Sequence, residues 1–167
     1  NLYALEGHFD GRAERASEKE MERISQLKTA STSLAVVEQP RHMAAKSAPA
    51  TALSLALDGV QNPGNLGTII RIADWFGIEN IYCSHGCVDI YNPKTIQATM
   101  GAIGRVKVHY TDLPGLIKSL NGKTPIYGTF LNGSDIYSST LENRGIIVMG
   151  NEGNGISDEC SKLIEER

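Results

Sequence analysis

The protein has 167 residues, of which 41% are hydrophobic and 21% charged, and its formal net charge at pH 7 is -3. This composition is typical of a globular protein and excludes a disordered chain, a fibrous repeat and a membrane protein, since no apolar run approaches the roughly 18 to 20 residues that span a bilayer. The acidic balance gives no bulk support for nucleic-acid binding, so any such function must reside in a particular site.

The first predicted elements are a helix and a short strand. Ser17 followed by Glu20 is a capping-box pattern, which predicts a helix from Glu18 to about Lys28. The apolar run 33–37 predicts a short buried strand, which Pro40 ends.

Changes in composition along the chain divide it into three predicted segments. Residues 41–52 are rich in alanine, contain Pro49 and show no consistent period, so we predict a linker there. Residues 1–40 are too few to close an independent core, and form either part of a domain or an arm packed on the next one. Residues 53–167 form the main domain.

From residue 53 onward the pattern alternates between strands and helices. The predicted strands are 53–60, 80–84, 106–110, 125–130 and 145–150, and the predicted helices are one around 66–73, then 93–103, 112–120 and one capped by Ser157. This alternation indicates an α/β fold with an open, mostly parallel sheet and helices on both faces. In such folds, ligands bind beyond the carboxyl ends of the strands.

The loop after the first of these strands, Asp58–Gly67, leads into a helix that carries Arg71. Gly67 allows another backbone to approach closely, and the amide of Asn65 can donate or accept hydrogen bonds. Arg71 lies off the apolar face of the helix. It either points into a cleft or forms a surface ion pair with Asp74, three residues later.

The loop Val148–Ser157 follows another hydrophobic strand and contains Gly150, Gly153 and Gly155. Its glycines either expose backbone N–H groups that bind a polar ligand at the helix start, or merely supply positive φ angles. The glycine spacing is not that of a dinucleotide-binding loop, and the second strand lacks the acidic residue that such proteins place at its end. A nicotinamide oxidoreductase is therefore disfavoured.

Two smaller features of the sequence bear on a possible site. Trp75 and Phe76 end the helix that carries Arg71, and we expect them to pack in the core or in an interface rather than to stack on bases. The segment Tyr127–Gly133 lies at the carboxyl end of another strand, and alone it is a weak signal.

The three cysteines predict neither a disulfide framework nor a metal site. Cys83 and Cys87 flank His85, but a structural zinc site needs four ligands and no second pair is present. Free thiols and the lack of a signal segment fit a reducing cytoplasm.

Together the loops resemble the SpoU-type (TrmH-like) RNA 2'-O-ribose methyltransferases of the SPOUT superfamily. The first family motif is similar to Leu57–Gly77, the second to Val148–Ser157, and the middle segment, less specifically, to Asn92–Ala102. The resemblance covers about Leu53 to Arg167. Residues 1–40 are similar to the end of the ribosomal-protein-like RNA-binding α/β domain that often precedes it.

The resemblance implies a SPOUT α/β-knot fold. The family's third motif, which closes the knot and completes the cofactor pocket, would begin just after Arg167. We therefore expect the 53–167 domain to be incomplete at its C-terminus and the sequence to belong to a longer chain.

The resemblance also implies methyl transfer from S-adenosylmethionine to a ribose 2'-hydroxyl of rRNA or tRNA, by a cytoplasmic homodimer with its site near the subunit contact. Arg71 is the residue expected to act on the hydroxyl, with Asn65 and Glu152 positioning it. The residues expected to hold the cofactor are Gly128, Thr129, Phe130, Met149, Gly150 and Asn151. The alternative is a non-catalytic RNA-binding module of the same fold, which the missing third motif favours.

Overall fold

The computed structural model describes residues 1–8, 11–39 and 51–164. The chain divides into two compact units, Asn1–Arg41 and His42–Arg167. Most of the predicted linker lies outside the described residues. Among the helices that are described, none is long and apolar enough to cross a membrane.

The N-terminal unit contains a three-stranded sheet and one helix. Its elements are β1 (Leu2–Ala4), β2 (Glu14–Arg15), α1 (Glu18–Ile24) and β3 (Ser33–Ala35). The strand order is β2-β1-β3, in which β1 runs parallel to β2 and antiparallel to β3. The sequence pattern did not predict β1 or β2.

The capping box of α1 is confirmed, but the helix is shorter than predicted. The Ser17 backbone N–H donates to the Glu20 carboxylate at 2.9 Å, and the Glu20 N–H donates back to the Ser17 hydroxyl at 3.4 Å. The helix ends at Ile24 because Ser25 adopts an extended conformation. The buried strand predicted over 33–37 also ends early, and Val37 is exposed.

The C-terminal unit is built on a five-stranded sheet. Its strands are β4 (Leu53–Leu57), β5 (Asn80–Ser84), β6 (Lys107–Thr111), β7 (Ile126–Gly128) and β8 (Gly145–Met149). Their order is β6-β5-β4-β8-β7, and all four neighbouring pairs are parallel. The predicted α/β fold with a parallel sheet is confirmed.

Helices cover both faces of this sheet, as predicted. They are α2 (Pro63–Trp75), α3 (Pro93–Thr99), α4 (Leu113–Leu120) and α5 (Asp158–Ser161). Successive strand side chains alternate between two cores: Leu57 of β4 packs with α2, whereas its neighbour Ala56 packs with α4 and α5. Ser157 caps α5 through a hydrogen bond from the Cys160 N–H, which confirms the predicted helix start.

The helix predicted over 93–103 is broken. Met100 and Gly101 both have left-handed φ angles, of 51° and 86°, so α3 ends at Thr99. A short 3-10 turn, Ala102–Gly104, follows.

The predicted close approach at Gly67 is confirmed by the packing of α2 on α3. A Cβ atom at Gly67 would lie 2.5 Å from the Ala98 Cβ and 2.7 Å from the Thr95 carbonyl oxygen. Only a residue without a side chain permits this contact, which fixes the position of α2.

The strand order reverses at β4. From β4 the chain adds β5 and β6 on one side, and later returns with β8 on the other side. In open α/β sheets a crevice forms at such a switch point, beyond the carboxyl ends of the strands. The two loops singled out from the sequence leave the sheet here, after Leu57 of β4 and Met149 of β8, which are register partners.

Candidate active site

The loop after β8 folds into a tight turn that Asn151 holds together. Asn151 and Gly155 exchange two backbone hydrogen bonds of 2.8 and 2.9 Å. The Asn151 side-chain oxygen accepts from the N–H groups of Gly153 at 2.9 Å and Asn154 at 3.1 Å. The N–H groups of Gly153 and Gly155 are thus bonded within the turn, and ligand binding by the loop's N–H groups stays a prediction for Gly150.

Two glycines of this turn have different roles. Gly155 has a φ of +69°, a conformation that side chains disfavour. At Gly150, an added Cβ would overlap the backbone of Gly155 and Ile156, so close packing requires the glycine there. Positive φ alone therefore does not account for the glycines.

Three hydrogen bonds tie this turn to the loop after β4. The Asn151 side-chain N–H donates to the Gly59 carbonyl oxygen at 2.7 Å. The Ser157 backbone N–H donates to the Asp58 carboxylate at 2.9 Å, and the Asp58 N–H donates to the Met149 carbonyl oxygen at 2.8 Å. The sequence pattern did not indicate the contacts of Asp58 or Ser157.

Two of the predicted catalytic residues meet between these loops. The Asn65 side-chain N–H donates to the Glu152 carboxylate at 3.1 Å, across 87 positions of sequence. Asn65 lies in the first turn of α2, whose start Asn62 caps by accepting from the N–H groups of Gly64 and Asn65. Since Asn65 and Glu152 are both exposed, the contact matters for their placement more than for stability.

Arg71, the third predicted catalytic residue, lies farther along α2. Its side chain is exposed and forms no hydrogen bond or ion pair with the residues that the structure describes. The alternative ion pair with Asp74 is wrong, because Arg105 binds both carboxylate oxygens of Asp74 at 2.7 to 3.1 Å. This guanidinium lowers the pKa of Asp74.

Of the two kinds of packing predicted for Trp75 and Phe76, the structure excludes one. Their side chains are 84% and 73% exposed, so packing in the core of their own chain is wrong. Packing in an interface stays a prediction.

Two cavities flank the turn after β8. The larger, of about 1000 Å³, is lined by the six residues predicted to hold the cofactor, namely Gly128, Thr129, Phe130, Met149, Gly150 and Asn151. The smaller, of about 650 Å³, is lined by residues that include Gln61, Asn65 and Thr68. Residues 149–153 line both cavities, and therefore form a shared wall.

The larger cavity combines an apolar wall with backbone polar groups. Leu131, Ile136 and Leu141 supply part of the apolar lining. Leu131 lies in the segment Tyr127–Gly133 that the sequence marked weakly, whereas Ile136 and Leu141 were missed because no regular pattern marks the stretch that follows. Thr129 is fixed by two hydrogen bonds to the Val148 carbonyl oxygen, of 3.0 Å from its N–H and 3.1 Å from its hydroxyl. Such a lining suits a nucleoside-containing ligand, which has an apolar base and polar edges.

A cysteine pair lies beneath the loop after β4. The Cys87 sulfur accepts from the Val60 N–H at 3.3 Å and lies 3.2 Å from the Leu57 carbonyl oxygen. A hydrogen bond from the Cys83 thiol lowers the pKa of Cys87 to about 6, and hydrogen bonds from the Val60 and Gly59 backbone N–H groups and the Ser84 hydroxyl act in the same direction. The described residues contain no group of three or more His, Cys, Asp or Glu side chains able to hold a metal ion.

The protein has a parallel sheet, two linked loops at the switch point and a cavity beside them that suits a nucleoside-containing ligand. These features define the class of α/β proteins that bind such ligands at the carboxyl ends of their strands. Comparison with known proteins makes the class specific. The sequence profile of the SpoU rRNA Methylase family matches residues 52–167, and the chain belongs to this family.

Relatives and solved structures agree with this assignment. The chain is 34% identical over 104 residues to the 23S rRNA 2'-O-methyltransferase RlmP of Bacillus subtilis, covering 61% of this chain and 42% of that protein. A TrmH-family structure from Porphyromonas gingivalis matches with a TM-score of 0.78 and 34% identity, covering 99% of this chain and 70% of that one. An AdoMet-bound rRNA methyltransferase from Sinorhizobium meliloti matches with a TM-score of 0.76 and 25% identity, covering 91% and 60%. The chain thus spans less than half the length of the curated Bacillus relative.

Proposed function

We propose that the protein transfers a methyl group from S-adenosylmethionine to a ribose 2'-hydroxyl of rRNA or tRNA. The observation that carries the proposal is the Asn65–Glu152 contact, because Glu152 belongs to the wall shared by the two cavities and Asn65 lines the smaller one. Family membership and the names of the relatives support the same reaction.

The larger cavity is the proposed cofactor site. Gly128, Thr129, Phe130, Met149 and Gly150 all line it. When bound, S-adenosylmethionine supplies an electrophilic methyl group whose sulfur is already a good leaving group. The protein therefore has only to orient the hydroxyl and manage its proton.

The smaller cavity is the proposed place of the target ribose, since it shares a wall with the larger one. Asn65 and Glu152 orient the hydroxyl there. Arg71 is a poor base because a guanidinium stays protonated, so we assign it to orient the nucleotide and stabilise negative charge developing on the 2'-oxygen.

We further propose that the protein acts as a homodimer in the cytoplasm. The C-terminal end of α2 presents an apolar surface in which Ile72, Trp75 and Phe76 are 47%, 84% and 73% exposed. A second copy of the chain would cover this surface, and Arg71 lies beside it in sequence. Free cysteines at positions 83, 87 and 160 fit a reducing compartment.

Calorimetry with S-adenosylmethionine tests this function against a non-catalytic RNA-binding module. A methyltransferase binds the cofactor and transfers radiolabelled methyl groups to rRNA or tRNA transcripts. A pure binding module binds the RNA but neither binds the cofactor nor labels the RNA. That second result would reject the proposal.

A further inference from the structure

We propose that Asn151 is a positioning residue that holds Glu152 against Asn65, instead of a residue that contacts the methyl donor. The inference rests on the proposed function and concerns the same site. It is carried by the hydrogen bonds that the Asn151 side chain already makes.

The amide of Asn151 is almost fully engaged within the protein. A side-chain amide has two acceptor lone pairs and two N–H donors. Both lone pairs are used by the N–H groups of Gly153 and Asn154, and one donor is used by the Gly59 carbonyl oxygen at 2.7 Å. Little of this side chain is left to recognise a ligand, although the residue lines the larger cavity.

These bonds act on Glu152 through the geometry of the turn. Glu152 lies between Asn151 and Gly153, whose positions the Asn151 side chain fixes relative to each other. Within the described residues, the one hydrogen bond of the Glu152 side chain is that from Asn65.

The bond from Asn151 to Gly59 and the bond from Asn65 to Glu152 span the same two loops, six residues apart on the side of β4. The first bond is part-buried and the second exposed. The part-buried bond is the better shielded from water, so it sets the spacing of the loops, and the exposed contact between Asn65 and Glu152 follows from it.

The substitution Asn151→Asp removes the bond to Gly59 and keeps the bonds within the turn. Its carboxylate still accepts from the turn, but it loses the N–H that binds Gly59 and places a negative oxygen against that carbonyl. We expect kcat to fall on the order of 10- to 100-fold, as loss of reactant alignment does. The dissociation constant for S-adenosylmethionine should stay within about twofold, since the side chain does not contact the cofactor.

Asn143→Asp is the matched control, because it makes the same change of charge at an exposed residue that lines neither cavity. It should leave kcat unchanged. If Asn151→Asp does not fold, Asn151→Ser replaces it, because a hydroxyl supports the same turn but is too short to reach Gly59.

A spectroscopic readout makes the test independent of catalysis. In ¹H–¹⁵N spectra, the side-chain amide of Asn65 should shift in Asn151→Asp and stay in place in Asn143→Asp. An unshifted amide, an unchanged kcat, or a cofactor affinity that falls in parallel with kcat would each overturn the inference. If the wild-type protein transfers no methyl group, the proposed function fails, and the Asn65 amide alone decides the positioning role.

Discussion

A subunit-mixing experiment tests whether Arg71 serves the cleft of its own chain or that of a partner. Asn65 and Glu152 line the smaller cavity, whereas Arg71 lines neither cavity of its own chain. We expect Arg71→Ala and Glu152→Gln to be inactive separately and active when mixed. In an equal mixture with random exchange, about half of the dimers are mixed and each restores one of two sites, so about one quarter of wild-type activity should return. The activity is measured as methyl incorporation into RNA after the two variants have been refolded together.

The expected control follows from the same geometry. Asn65→Ala mixed with Glu152→Gln should restore nothing, because both residues lie in one cleft of one chain. If Arg71 acts in its own chain, every protomer of the first mixture carries a lesion and activity stays at the sum of the two variants. That result, or a monomer by light scattering at micromolar concentration, would refute the reasoning.

Three further predictions concern packing, thiol reactivity and the pH dependence of stability. In urea titrations, the free energy of unfolding of Gly67→Ala should be about 1–3 kcal/mol lower than that of Gly104→Ala. The new methyl group at position 67 meets Ala98, whereas nothing lies within 4 Å of a Cβ atom at Gly104. Equal free energies of unfolding would contradict this. Native Cys87 should react with iodoacetamide half-maximally near pH 6, while Cys160, whose pKa burial raises to about 11, reacts little below pH 9. Because the pKa of Cys87 in the folded protein lies below the ordinary value of 9.0 for a cysteine thiol, this group should make stability rise between about pH 6 and pH 9, and a fall over that range would contradict the assignment.

Most of the C-terminal fold could be predicted from the sequence because its signals are local. The apolar strands 53–57 and 145–149 lie within the predicted runs, since strands covered on both faces are almost continuously hydrophobic. The start of α5 was marked by Ser157, whose cap depends only on the next few residues. The pairing of Asn65 with Glu152 came from the family resemblance, not from periodicity.

What the sequence did not predict depends on contacts between distant residues. The two-residue strand β2 is too short to show a period and exists because it pairs with β1. The ion pair of Asp74 with Arg105, 31 positions away, replaced the local pair expected with Arg71, since helix spacing says nothing of a neighbouring segment. Met100 is a residue for which a left-handed conformation is unfavourable, so the sequence predicted that the helix continues through it, although Gly101 beside it is typical of a helix end.

The register of the sheet connects the cores to the site. Leu57 pairs with Met149, so the loops that follow these residues leave the sheet side by side. A slip of one residue would exchange Ala56 and Leu57 between the two cores. One core is packed around a methyl group and the other around an isobutyl group, so neither side chain would fit in the other's place. Because both side chains are fully buried, packing opposes that slip strongly. The cores thus enforce the alignment at which Asn65 reaches Glu152, so buried apolar side chains set the geometry of two exposed polar residues.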